Sequence, residues 1–341
     1  MPSTATTTML AASLDNRSKE IHDQSFEAHI LLKYLNRTGR KKAATPANNI
    51  EEPISVGANS TVGVRDYKSQ IPFEEQDPVQ VVEIPFRHFN GSVVWYKWQE
   101  RVNASSKQKL FDFVDSLVEQ LKMTMGDTFG LQIWEDGSDE NMHGLGAIIS
   151  ATNTYMGLNR STTGNEWWKA KTGAAFTITF PGGGTKTYGP FSTAGTLQIM
   201  GGTDGGIQGL VRACSANGGT DQPDFGITTE ALYNRIEQLI EPSRIRQSAK
   251  LVELGWDENI AYGNMGIVYD DNCTSAAFYS LNTKYLKLRP STDNESDYWK
   301  SEVQDLLVNG YMAHAKVFNW DGNLVCTRPT RCGALTGKTA S

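Results

Sequence analysis

Apolar positions recur with two different periods along this chain, and the switches between them mark its elements. Ile21, Phe26, His29, Ile30, Leu32 and Leu35 give one loosely apolar helical face, closed by Gly39, a residue suited to a helix stop. From Ile50 to Val64, and again from Val79 to Val102, the pattern turns to short alternations. The second run is rich in β-formers, among them Val82, Ile84, Phe89, Val94, Trp95 and Trp98. Between the runs lies a polar stretch with Arg65, Asp66, Lys68, Pro72, Glu74, Glu75, Asp77 and Pro78. The pattern predicts a long hairpin over 49–103 with a charged tip. No helix adjoins it in sequence. A lone two-stranded ribbon is marginal in water and its open edges are sticky, so such an arm makes physical sense when another subunit covers it.

The clearest helix follows. Ser105 and Gln108 form a capping-box pattern, and Leu110, Val114, Leu117, Leu121 and Met125 then recur at three- and four-residue steps. Lys107, Lys109, Asp112, Asp115, Glu119 and Lys122 are assigned to the opposite face. A helix of about 25 residues spans roughly 37 Å, the length of a structural spine. Residues 151–226 are rich in Gly, Thr and Ser and predict short strands and loops, with a short helix at Ile207–Ala216. Thr228 and Thr229 open another helix, with Leu232, Ile236, Leu239 and Ile240 on one face and Pro242 as its stop. The C-terminal third returns to β, and Asp321-Gly322 between Met312–Trp320 and Asn323–Thr327 predicts a tight hairpin. Helices and strands come in blocks rather than in a βα series, which defines an α+β class.

Composition narrows the function. The 341 residues carry a net charge of −6, which argues against a strongly basic nucleic-acid binder. The charge is uneven, however: residues 1–45 hold seven bases and four acids, for +3 against −9 in the remainder. Arg40, Lys41 and Lys42 form a basic knot that reads as a solvated loop or, with Arg37, as a DNA-facing patch. No apolar run reaches the ~20 residues of a membrane helix, so no membrane role is expected. No basic start followed by an apolar stretch opens the chain, and folding in a cytoplasm is expected. The four cysteines, Cys214, Cys273, Cys326 and Cys332, form no CxxC pair and read as free thiols.

Candidate chemistry is sparse. Gly182-Gly-Gly-Thr-Lys-Thr187 lacks the Gly before Lys that a phosphate loop needs, and Gly201–Gly206 lacks dinucleotide spacing. The five histidines show no paired-ligand spacing, although His22 and His29 could share a helix face. Asp270-Asp271-Asn272, with Asp257 and Glu258 upstream, could hold a divalent cation or form a solvated turn. Trp167-Trp168 could stack on a ligand or anchor a turn to a core. No cofactor is expected.

Several segments together resemble one known family. They are Phe26-Glu-Ala-His-Ile-Leu-Leu-Lys-Tyr-Leu, Ile50-Glu-Glu-Pro-Ile-Ser-Val, Asn159-Arg160 with Trp167-Trp168, and Thr228-Thr-Glu-Ala-Leu-Tyr. The most specific is Val268-Tyr-Asp-Asp-Asn-Cys followed by Phe278-Tyr-Ser-Leu-Asn-Thr-Lys-Tyr-Leu-Lys-Leu-Arg289, and Gly322-Asn-Leu-Val-Cys-Thr-Arg and Gly333-Ala-Leu-Thr close the series. In this order, over nearly the whole chain, they resemble the major capsid proteins of tailed bacteriophages with the Johnson (Hong Kong 97-type) fold.

The resemblance implies an N-terminal arm over 1–48, an extended E-loop over 49–103, and a P-domain with a spine helix over 104–150. It further implies an axial A-domain over 151–275 and returning P-domain strands over 276–341. It implies a structural subunit, not an enzyme, that assembles with itself into hexamers and pentamers around double-stranded DNA in a virion. It implies a separate scaffold protein or none, with portal and decoration proteins as further expected partners. Arg65, Asp66, Tyr67, Lys68, Glu74 and Glu75 would make the inter-subunit contacts of the E-loop, and Lys68 is the one candidate for the lysine–asparagine cross-link some relatives form. The stretch 169–200 fits the family poorly and reads as a local insertion. The alternatives are an encapsulin-like shell around a cargo enzyme, a β-rich ligand-binding protein using Trp95, Trp98 or Trp167-Trp168, and a hydrolase acting through Asp270 and Asp271.

Overall fold

Two five-stranded sheets organise the molecule. A computed structural model describes residues 29–44, 48–56, 61–70, 73, 75, 79–99, 107–173, 175–179, 185–200, 206–215, 221–240, 247–253, 255–256, 259–273, 276–292 and 299–340. Strands β1 (Asn49–Ser55) and β2 (Val79–Pro85) pair with each other, and β3 (Arg87–Tyr96) belongs to a sheet. A surface hairpin follows, made of β4 (Phe176–Thr179) and β5 (Thr185–Tyr188). The remaining principal strands are β6 (Phe225–Thr228), β7 (Ile260–Tyr262), β8 (Met265–Tyr269), β9 (Phe278–Leu281), β10 (Leu286–Pro290), β11 (Ala313–Cys326) and β12 (Gly333–Leu335). The principal helices are α1 (Ile30–Arg37), α2 (Lys107–Gln132), α3 (Ile207–Cys214) and α4 (Glu230–Leu239).

The first sheet runs β7-β8-β6-β9-β12, with β8 and β6 parallel and the other pairs antiparallel. Strands β6, β9 and β12 are buried at every position because both faces are covered. Met265, Ile267, Phe278 and Leu335 face α3 and α4 through Ile207, Leu210, Leu232 and Ile236. Phe225, Ile227, Val268 and Leu281 face the main core on the other side. Both helices lie within about two residues of the stretches the apolar periodicity marks.

The second sheet is built on β11, whose 14 residues reach roughly 46 Å. Along one edge it pairs with all of β3, and along the other with β10 and the short segments Trp299–Lys300 and Gln304–Asp305. Asp321-Gly322 is therefore no hairpin: Asp321 opposes His88, and Gly322 opposes Arg87 on one side and Pro290 on the other. Gly322 serves close packing instead. A Cβ there would sit 2.4 Å from the Trp320 ring and 2.9 Å from the Arg289 carbonyl oxygen. The strong turn signal is overridden by pairing on both sides.

Helix α2 has 26 residues, about 39 Å, and lies over β3. Val118, Met125 and Phe129 are buried beneath it, and Phe129 stacks on Phe89 with ring centroids 4.4 Å apart. Gly91 lets the helix approach: a Cβ there would lie 2.6 Å from Leu121 Cδ1. Lys122, which the periodicity assigns to the polar face, is buried. The capping residue Ser105 and the N-terminal stretch before residue 29 lie outside the described residues, and Gly39 ends α1 with φ +69°.

Candidate assembly surface

The 49–103 stretch is two structures. Only β1 and β2 form the ribbon, in register from Asn49 opposite Pro85 to Ser55 opposite Val79. The chain then breaks at Phe86 and continues as β3 inside the second sheet. The strong β-formers of the second run thus divide between an arm and a body. The ribbon is also supported at its root. Ile50, Ile54, Val82 and Ile84 share one face, which is buried in the main core, while Glu51, Val81 and Glu83 face outward.

Glu52 lies on that buried face. Its carboxylate is within 2.6 Å of Arg289 Nε and 3.1 Å of Lys287 Nζ. Its position opposite Val82 sets it among apolar neighbours, where an isolated charge would be expensive. Two cations from alternate residues of β10 compensate it and fix the angle at which the ribbon leaves the body.

The described residues between Ser55 and Val79 are different in kind. Val62, Val64, Tyr67 and Phe73 are all exposed, the last three at 94% or more. Inside this loop Arg65 donates to the carbonyl oxygens of Thr61 at 3.1 Å and Gln70 at 3.0 Å, and Asp66 accepts from the Tyr67 amide. Arg65 and Asp66 therefore hold the loop's own shape, whereas Tyr67, Lys68 and Glu75 face solvent. Glu74 lies outside the described residues. Sequence reasoning marked this tip as charged and passed over its apolar side chains. The signal was there in Val62, Val64 and Phe73, three large apolar residues interleaved with the charged ones.

The basic knot is a strand addition. The Arg40 carbonyl accepts from the Leu288 amide, Lys42 donates back to Leu288, and Ala44 donates to Pro290. Arg289 in turn donates to the Ala43 carbonyl at 3.0 Å. Arg37 and Lys42 are exposed, while Arg40 and Lys41 are half-buried.

Of the enzymatic and ligand-binding candidates, Trp95, Trp168 and Asp270 take structural roles. Trp95 is fully buried in the second sheet, and Trp98 is exposed. Trp168 is buried and donates from Nε1 to the Tyr155 carbonyl at 3.1 Å, with Trp167 packed on it. Asp270 accepts from the Asn272 amide at 2.8 Å, an Asx turn, and Asp257 and Glu258 lie outside the described residues. Among the described residues no group of three or more His, Cys, Asp or Glu is placed to hold a metal, and no helix is long and apolar enough to cross a membrane. Lys186 and Thr187 of the rejected phosphate loop lie on the exposed strand β5. His22 lies outside the described residues.

No protein-family model and no curated protein matches the sequence. Solved structures do match. A chain of the Cyanophage A-1(L) capsid asymmetric unit is similar over 88% of this chain and 91% of its own, at 16% identity and a TM-score of 0.59. A chain of the native GTA particle capsid is similar over 90% and 91%, at 7% identity and a TM-score of 0.53. A chain of Mycobacterium phage Bobi is similar over 88% and 89%, at 9% identity and a TM-score of 0.51. The class these likenesses define is an α+β capsid fold. More narrowly, the chain has the Johnson fold of tailed-phage major capsid proteins.

Proposed function

We propose that this chain is the shell-building subunit of a tailed-phage head, assembling with itself into hexamers and pentamers that enclose double-stranded DNA. The reading rests on the fold and, above all, on the described residues 61–70, 73 and 75 between β1 and β2. An isolated soluble chain gains nothing by presenting Val64, Tyr67 and Phe73 to water on the end of a rooted ribbon. The arrangement makes sense when a neighbouring copy covers them. The subunit's work is then structural, with no catalytic step: closed symmetry satisfies edges and apolar side chains that one chain leaves open.

In this reading the arm, E-loop, P-domain and A-domain follow the order the resemblance implies, with the E-loop ending at Pro85 and β3 counted with the P-domain. Arg37, Arg40, Lys41 and Lys42 face the packaged DNA and neutralise phosphates without reading sequence, so the contact weakens with salt. Scaffold, portal and decoration proteins are the expected further partners, and assembly takes place in the host cytoplasm before the subunit becomes part of the virion.

The test is to express the chain with and without its neighbouring head proteins and to image the high-mass fraction. Shells or ring-shaped capsomers containing nucleic acid support the reading. Shells that hold a cargo protein and no nucleic acid would replace it with an encapsulin-like compartment. A compact monomer with saturable small-ligand binding would reject it.

A further inference from the structure

We infer that the end of the second sheet farthest from the ribbon is a second self-association surface, on which copies in adjoining rings meet through Tyr96, Trp98, Tyr311 and Met312. The inference rests on the shell reading above and takes the loop bearing Tyr67 and Phe73 as the contact that closes a ring.

Along β3, Val93 and Trp95 turn to the buried core, so Val94 and Tyr96 turn to the opposite face. There they stand across from Ala315 and Ala313 of β11, side chains too small to cover them. The chain enters β11 through a tight turn beside them. Asp305 Oδ1 accepts from the Leu307 amide at 3.0 Å, a 3-10 turn runs over Leu306–Asn309, and Gly310 reverses the chain at φ +84°. The Tyr311 amide donates to the Leu306 carbonyl at 3.1 Å, and the Lys97 amide donates to the Met312 carbonyl at 2.9 Å. That last bond sets Met312 beside the helical residues 97–99, which carry Trp98. The Tyr96 amide is taken up by Gln99 Oε1 at 2.9 Å.

These hydrogen bonds hold the backbone in a fixed shape, yet the shape presents apolar side chains to water. Tyr96, Trp98, Leu307, Tyr311 and Met312 are between 47% and 64% exposed, and Val94 is 39% exposed. An aromatic side chain buries roughly 150–250 Å² when covered, so these three aromatics and the three apolar side chains beside them offer on the order of 500 Å². That is the upper end of what a monomer carries in one patch, and most of the ~800 Å² per partner of a standard interface. At the margin Lys97 Nζ and Asp305 pair with each other at 2.5 Å, so an identical patch meets no unbalanced charge from either. An apolar patch whose marginal charges are paired off suits a copy of itself better than a charged partner.

The position of the patch gives it a separate task. Strand β2 of the ribbon ends at Pro85, two residues before β3, and the ten residues of β3 rise roughly 33 Å from there to Tyr96. One head-to-tail contact repeated about an axis closes a ring and goes no further. Joining rings into a shell takes a second contact elsewhere on the chain, and this patch supplies it.

The test expresses the full-length wild type, the Tyr96→Ser, Trp98→Ser, Tyr311→Ser variant and the Tyr67→Ser, Phe73→Ser variant, each with the neighbouring head proteins. Sedimentation and negative-stain imaging read the products, and urea titration checks the fold. The triple variant should keep the wild-type urea midpoint and form rings, with at least a tenfold loss of closed shells. The loop variant should give neither rings nor shells. Shells from the triple variant at wild-type yield, or a folded triple variant that forms no rings, would overturn the inference and leave the shell reading standing. A wild type that forms neither rings nor shells would overturn that reading and this inference with it. Should the triple variant fail to fold, hydroxyl-radical labelling of the unmutated patch decides. Trp98 and Met312 should be labelled at least threefold less in wild-type shells than in unassembled loop-variant subunits, and equal labelling would overturn the inference.

Discussion

Arg289 Nε lies 2.6 Å from the Glu52 carboxylate, and this pair joins the root of the ribbon to β10. Lys287 approaches the second carboxylate oxygen at 3.1 Å, so one buried anion answers two cations from the same strand. Glu52→Ala leaves both cations without their partner. It should lower unfolding free energy by about 3 kcal/mol in urea titrations. Particle yield should fall with it, because the ribbon loses its fixed exit angle.

Gly322 is a packing residue in the middle of a strand. Gly322→Ala places a methyl group against the Trp320 ring and the Arg289 carbonyl, and the backbone atom has little room to yield. The expected loss is about 1–3 kcal/mol, read from thermal or chemical unfolding. Gly91→Ala meets only the flexible end of Leu121 and the Met125 sulfur, and should cost less.

His143 makes stability depend on pH. Burial, with a smaller push from Arg87, lowers its pKa from 6.5 to about 4, against a small opposing effect of Asp136. In that window the unfolded chain binds the proton and the folded chain does not, so stability rises with pH. The contribution is complete above about pH 6.5 and is lost as pH falls toward 4. After allowance for solvent screening it amounts to roughly 2 kcal/mol. His143→Gln should flatten that part of the stability–pH curve while leaving other acid-labile groups in place. An unchanged slope would remove His143 from the account.

The exposed loop separates folding from assembly. Tyr67→Ser combined with Phe73→Ser touches nothing packed within one chain, so unfolding free energy should stay within about 0.5 kcal/mol of the wild type. Sedimentation should nevertheless show at least a tenfold loss of assembled material. Equal loss of stability and assembly would mean that the loop packs on its own subunit.

Charge reversal of Arg37, Arg40, Lys41 and Lys42 tests the DNA-facing reading. Reduced DNA content with intact shells is expected. Unchanged DNA content and particle yield would remove these residues from that role.

Much of this architecture is legible in the sequence where one period dominates. Leu117, Leu121 and Met125 place the spine helix, and Leu232 and Ile236 place α4, because each helix buries one stripe. The sequence misleads where tertiary pairing overrides a local signal. Asp321-Gly322 looks like a turn, yet strands on both sides hold it extended. Val79 to Val102 looks like one strand, yet it breaks at Phe86 because its halves pair with different partners. The Glu52 clamp was hidden altogether: a carboxylate between Glu51 and Pro53 carries no mark that residues more than 230 positions away will bury it. The apolar loop was obscured by the charged residues interleaved with it.

The most direct test of the central claim is particle formation by the wild-type chain beside the Tyr67→Ser, Phe73→Ser variant, expressed with the neighbouring head proteins and compared by sedimentation and negative-stain imaging. The account predicts closed shells or capsomer rings from the wild type and folded, unassembled subunits from the variant. Wild-type chain that stays a stable monomer at every concentration and salt, or a variant that builds shells as well as the wild type, would contradict it.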